Sequence, residues 1–208
     1  MNFKNGKSKK LLGDSFELNL FATVALVFGI ASVSKELIPI FFGEGYDACI
    51  FLTIIFTPVL FVKSLSIFIC MQYLIPQKQE RVYIIAAFSG AAINLIASAL
   101  LIKPLGAVAG IFIAESAVCM IQFRCIRGQQ PVGNYFSKNI FCFADGIVML
   151  LIVRQVGHIP ISGIVLLFLE IVTGAIVYIA LCLICWKFNN QSIFHNEIGT
   201  ILKRKLLL

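Results

Sequence analysis

The chain has 208 residues, of which 60% are hydrophobic and only 13% charged, about half the charged share usual in a soluble domain. Seventeen Lys and Arg against ten Asp and Glu give a formal charge of +7. This composition excludes an ordinary soluble globular domain. The cations flank apolar stretches, where they meet anionic lipid headgroups, so topology explains them and nucleic-acid binding is not expected.

Six apolar stretches are predicted as membrane-spanning helices, at 15–41, 47–75, 82–102, 105–124, 139–156 and 161–186. Crossing a hydrocarbon core of roughly 30 Å takes about 20 helical residues. A soluble helix would alternate apolar and polar faces, and these stretches do not. The first ten residues resemble the basic start of a signal peptide. The stretch after them is long, contains Glu17 and reaches Lys35-Glu36 without a small-residue cleavage site. It is therefore expected to remain as the first span.

The loops follow in order. Gly43-Glu44-Gly45-Tyr46-Asp47 is acidic, and Pro76 ends the second span ahead of Lys78 and Arg81. Lys103-Pro104-Leu105-Gly106 reads as a tight hairpin between spans three and four. A longer linker, Gln129-Gln130-Pro131-Val132-Gly133-Asn134, separates four helices from two. Residues 188–208 are mixed polar and apolar and are expected to lie along the membrane surface. The organisation is thus a basic N-terminus (1–14), four spans (15–124), a linker (125–138), two spans (139–186) and a basic amphipathic tail (187–208).

Cytoplasmic loops of helical membrane proteins carry the excess of Lys and Arg. With the N-terminus inside, Lys4, Lys7, Lys9, Lys10, Lys78, Arg81, Arg124, Arg127, Lys138, Lys187, Lys203, Arg204 and Lys205 are all cytoplasmic. Lys35, Lys103 and Arg154 lie outside, and Lys63 lies within a span. The expected fold is an all-α polytopic transmembrane bundle of about six helices with both termini cytoplasmic, in a bacterial cytoplasmic membrane.

Little in the chain suggests enzyme chemistry. Cys182 and Cys185 have the spacing of a redox or metal pair but lack a second pair or a His cluster, so the seven cysteines read as small apolar side chains. His158 and His195 fall on opposite sides of the membrane. Asp145-Gly146 resembles the opening of a phospholipid-synthase motif without the later acids. No catalytic residue, metal site or cofactor is expected.

Small residues mark a packing seam. Gly90, Asn94 and Ser98 share one face of span three, and Gly106, Gly110 and Ala114 one face of span four, a spacing that lets helix backbones approach closely. Asn94 is also a candidate for lining a polar cavity. Charges at membrane depth are sharper clues, since each costs about 2.5–3.5 kcal/mol at a helix centre. They are Lys63, Glu115, Asp145 and Glu170. With Asn94 they are the candidates for substrate binding or ion coupling; helix-pairing ion pairs are the structural alternative. Counted from the loops, Lys63 and Glu115 differ in depth by roughly 9 Å, so direct pairing calls for tilt, snorkelling or water.

In chain order, Phe41-Phe42-Gly43-Glu44-Gly45-Tyr46, Lys63-Ser64 and Gln72-Tyr73-Leu74-Ile75-Pro76 resemble markers of polysaccharide flippases. So do Gly90-Ala91-Ala92-Ile93-Asn94-Leu95-Ile96, Leu101-Ile102-Lys103-Pro104-Leu105-Gly106-Ala107, Ala114-Glu115 and Thr173-Gly174-Ala175-Ile176-Val177-Tyr178. The family is that of the O-antigen and capsule flippases, within the multidrug/oligosaccharidyl-lipid/polysaccharide exporter superfamily. Its members carry about 12 to 14 spans in two pseudo-symmetric lobes, and the resemblance covers only the C-terminal portion.

The resemblance implies translocation of undecaprenyl-pyrophosphate-linked oligosaccharide for capsule, O-antigen or exopolysaccharide synthesis. Lys63 would attract the pyrophosphate, and Glu115 would be its counter-charge or an ion relay. Alternating access needs two lobes, so the chain is expected to be inactive alone and to require a partner chain supplying the missing N-terminal helices. Membrane lipids would be its other partners. The alternative is a truncated membrane protein without transport activity, acting at most as a membrane interaction partner.

Overall fold

The computed structural model describes residues 6–43, 45–100, 104–127, 139–159 and 163–189. Among these residues there are six helices and no strand: α1 (Gly6–Phe42), α2 (Asp47–Ile69), α3 (Glu80–Leu100), α4 (Pro104–Ile126), α5 (Phe141–Val156) and α6 (Ile164–Asn189). The all-α fold follows from the solvent, because hydrocarbon offers no partner to an open backbone N–H or C=O. Pro39 and Pro58 lie inside α1 and α2 without ending them, as spanning helices tolerate.

Helices α1, α2, α3, α4 and α6 are long and apolar enough to cross a membrane. Helix α5 has 16 residues and falls short of that length. The turn at Asn139 and Ile140 delays its start, and Gly157 caps its end. Helix α1 runs the other way, with 37 residues, or about 55 Å. It begins ahead of the expected span because no proline interrupts the basic segment before Leu11. The tail expected along the membrane surface lies outside the described residues beyond Asn189, as do 128–138 of the linker and 101–103 of the α3–α4 hairpin.

The helices alternate in direction. At one end Leu12, Ile69, Tyr73, Leu74 and Ile126 form a buried cluster joining the start of α1 to the ends of α2 and α4. Lys78, Arg81, Arg124 and Arg127 lie in the segments around it, and this is termed the basic end. At the other, the acidic-loop end, the end of α1 meets the starts of α2 and α6 and the end of α5.

The hairpin α1–α2 is the centre of the molecule. The α3–α4 pair docks on it through α2, and α5 and α6 dock through α1. The main core lies between α1, α5 and α6, with Phe16, Leu20, Val24, Met149, Val153 and Tyr178 buried in it. Tyr178 donates from its hydroxyl to the Phe21 carbonyl at 3.0 Å and stacks on the Phe21 ring.

Between α3 and α4 the seam of small residues is a close approach. A β-carbon at Gly110 would sit 3.2 Å from that of Ala97. One at Gly90 would run into the Val118 side chain. Gly110→Leu is therefore expected to weaken the bundle by about 1–3 kcal/mol, read as a lower unfolding midpoint in detergent and faster proteolysis. Val148→Leu, on the exposed side of α5, should leave both near the parent's values. Protease resistance unchanged in the Gly110 variant would show that the seam is not close-packed in the membrane.

Candidate functional site

A groove of about 500 Å³ lies between α2, α3 and α4. Small side chains at Ala87, Gly90, Ala91 and Ala114 leave the space, so the seam that joins α3 to α4 also hollows the wall beside α2. Lys63, Asn94 and Glu115 all line it. Three of the five candidate residues thus converge on one surface.

Lys63 Nζ donates to Glu115 Oε1 at 2.6 Å. The direct contact bridges the depth difference counted from the loops. Ser66 Oγ donates to Gln122 Oε1 at 3.2 Å, and by that register Lys63 stands level with Cys119. Its side chain therefore leans about one helical turn toward the helix N-termini to reach Glu115, the direction in which helical side chains tilt. Of tilt, snorkelling and water, the reach seen here is the snorkelling of a long side chain, which the flexible stem of lysine permits.

The pair leaves unused bonding capacity. An ammonium carries three N–H donors, and Glu115 Oε1 takes one. Glu115 Oε2 is buried without a hydrogen-bond partner. The Lys63 side chain is 52% exposed against 19% for Glu115, so the cation, rather than the anion, is presented to the groove. Asn94 accepts from Ser98 Oγ at 3.3 Å on the opposite wall. A half-exposed cation with a carboxylate behind it and an amide across from it suits an anionic group of a ligand.

The other two candidates lie elsewhere. Asp145 is buried between α5 and α6, where the thiols of Cys182 and Cys185 donate to its two oxygens at 3.4 and 3.5 Å. The Cys182/Cys185 spacing thus serves the carboxylate on the facing helix. Glu170 lies at the acidic-loop end in a separate cavity. Among the described residues, no three His, Cys, Asp or Glu side chains converge to hold a metal ion.

Sequence reasoning missed several polar residues. Gln122 is fully buried, with its Nε2 unpartnered. Ser64 bridges α2 to α1, meeting Thr23 at 2.6 Å and donating to Asn19 Oδ1 at 3.3 Å. The available signal was helical spacing: Asn19 and Thr23 are four apart, and Lys63, Ser66 and Cys70 fall on one face. The second span ends at Leu74, close to where Pro76 places it, but the form of its last turn was not foreseen. Cys70–Leu74 form a π-helical turn, with Ile75 N donating to Cys70 O at 3.0 Å. Such turns concentrate at functional sites, and here Cys70 and Met71 line the groove.

No family model matches the chain, and neither a curated protein nor a solved structure is found to be similar to it.

The ion pair has a measurable signature. In a double-mutant cycle, Lys63→Ala and Glu115→Ala should show a coupling of about 0.5–3 kcal/mol, measured by unfolding in detergent micelles. Additive effects would mean that the two side chains do not pair in the folded protein.

Proposed function

We propose that the chain is the C-terminal part of a flippase for undecaprenyl-pyrophosphate-linked oligosaccharide units. It contributes one wall of a cavity that a partner chain closes. The observation that supports this reading is the Lys63–Glu115 pair, with Lys63 half exposed in a groove on a membrane-spanning helix. Hydrocarbon is a poor neighbour for an ammonium group, so a groove that presents one calls for water, protein or an anionic ligand. A pyrophosphate supplies the charge and the acceptors that the lysine lacks.

The described helices form one wall, and rocking of two lobes about a midplane site needs a second. Translocation on this reading is a property of the assembly, and the chain alone contributes recognition. The bilayer is a bacterial cytoplasmic membrane, with the basic end in the cytoplasm, because Lys and Arg gather there. Reporter tags at Met1 and Leu208 should then both read as cytoplasmic, and a tag in the 43–47 loop as external. A cytoplasmic signal from that loop would reverse the orientation.

Recognition is testable on the chain itself. In nanodiscs, a polyprenyl-pyrophosphate-linked glycan should bind the wild type about tenfold or more tightly than Lys63→Ala, the loss expected for a hydrogen bond to a charged group. Lys63→Arg should retain most of the affinity. Undiminished binding by Lys63→Ala, at equal abundance and folding, would remove the anion-binding role. No binding by the wild type would favour the other reading, a truncated membrane protein without transport activity.

A further inference from the structure

The second cavity, of about 280 Å³, lies at the acidic-loop end between α1, α2, α5 and α6. Glu170 of α6 lines it, only 1% exposed, and its Oε2 has no hydrogen-bond partner. Glu36, near the end of α1, lines the same cavity. Both groups fold over the same bare stretch of backbone. A β-carbon at Gly157 would lie 2.8 Å from Glu170 Oε1 and 3.5 Å from Glu36 Oε1.

The surroundings do not neutralise the two acids by contact. Helix α1 adds Lys35, and α5 with the turn after it adds Arg154 and His158. Helix α2 contributes Ile50 and Ile54, which are apolar. Among the described residues, neither glutamate forms an ion pair with a lysine or arginine. His158 Nδ1 is engaged with the Arg154 carbonyl at 2.8 Å. Two carboxylates so close, one of them shut off from water, repel each other. A proton on either makes that group a donor and turns repulsion into a hydrogen bond.

We propose that Glu36 and Glu170 form a proton-binding site, in which one exchangeable proton bridges the two carboxyl groups and holds the end of α1 against the start of α6. Binding adds the proton to one carboxylate oxygen, and that O–H donates to the other carboxylate. The charge of the pair changes from −2 to −1. Release returns the proton to water in the cavity and restores the repulsion, which loosens this end of the bundle. The site is independent of the reading of the α2–α3–α4 groove.

Infrared spectroscopy of the whole protein in nanodiscs tests the site directly. The wild type should show a protonated-carboxyl carbonyl band at neutral pH that titrates away as pH rises. Glu36→Gln and Glu170→Gln should each abolish it. His158→Gln should leave it intact, which separates the pair from the imidazole beside it. Thermal unfolding adds a second readout: wild-type stability should fall as the proton is lost, and Glu36→Gln, whose amide replaces the shared donor, should flatten that dependence. Should Glu170→Gln not fold, Glu36→Gln carries both measurements. The site is overturned by a wild type lacking the band at neutral pH, or by a band that survives in Glu36→Gln. Sodium-dependent stabilisation without the band would overturn the proton in favour of a metal cation.

Discussion

In hydrocarbon, a polar side chain has no solvent to fall back on, and each one therefore selects the neighbour its helix must face. The structure is organised by such contacts. Lys63 and Ser66 turn one side of α2 toward Glu115 and Gln122 of α4. Ser64 turns the adjacent side toward Asn19 and Thr23 of α1. Tyr178 and Asp145 do the same for α6, against α1 and α5 respectively. Apolar packing fills the space between, but lipid tails are as apolar as leucine, so it distinguishes one rotation of a helix from another only weakly.

This division of labour explains what was legible in the sequence. Long apolar runs announce spanning helices whatever their partners, and five of the six predicted spans are long and apolar enough to cross. The α3–α4 seam was legible too, because a four-residue spacing of small side chains has one geometric use. The identities of the costly charges were visible, and Glu115 was a candidate partner for Lys63, whereas the partners of Asp145 and Glu170 were not visible. Glu115 could be singled out as an anion at depth, but its meeting with Lys63 depends on the α2–α4 register, which the Ser66–Gln122 bond reports. Glu36 was hidden for a different reason. Adjacent to Lys35 at the end of a span, it reads as a solvated boundary residue, and only the fold brings it into the same cavity as Glu170.

The arrangement also separates two kinds of polar environment. On one side of the molecule, α2 and α4 hold an ion pair in the groove they form with α3. On the other side, α5 and α6 enclose carboxyl groups, with Asp145 bonded to thiols and Glu170 set against Glu36. The thiols are weak donors, and they give Asp145 a partner where water is scarce. Helix α5, short for a crossing, lies between α1 and α6 with Asp145, Gly146, Met149 and Val153 buried. Those contacts cover its inner face where its length would leave it poorly matched to the bilayer.

The π-helical turn at Cys70–Leu74 gives α2 two angular phases. One extra residue in a turn rotates everything after it by about 100°, the angle of a single helical step. Before the turn, α2 directs Lys63 and Ser66 at α4; within it, Cys70 and Met71 look into the groove while Tyr73 and Leu74 close the basic-end core. The chain then leaves for α3 from the rotated phase. A chain one residue shorter between Ile69 and Ile75 would keep nearly every apolar side chain and its overall hydropathy. It would nonetheless swing the corner around, carrying Tyr83 and Gly90 away from the groove they now line.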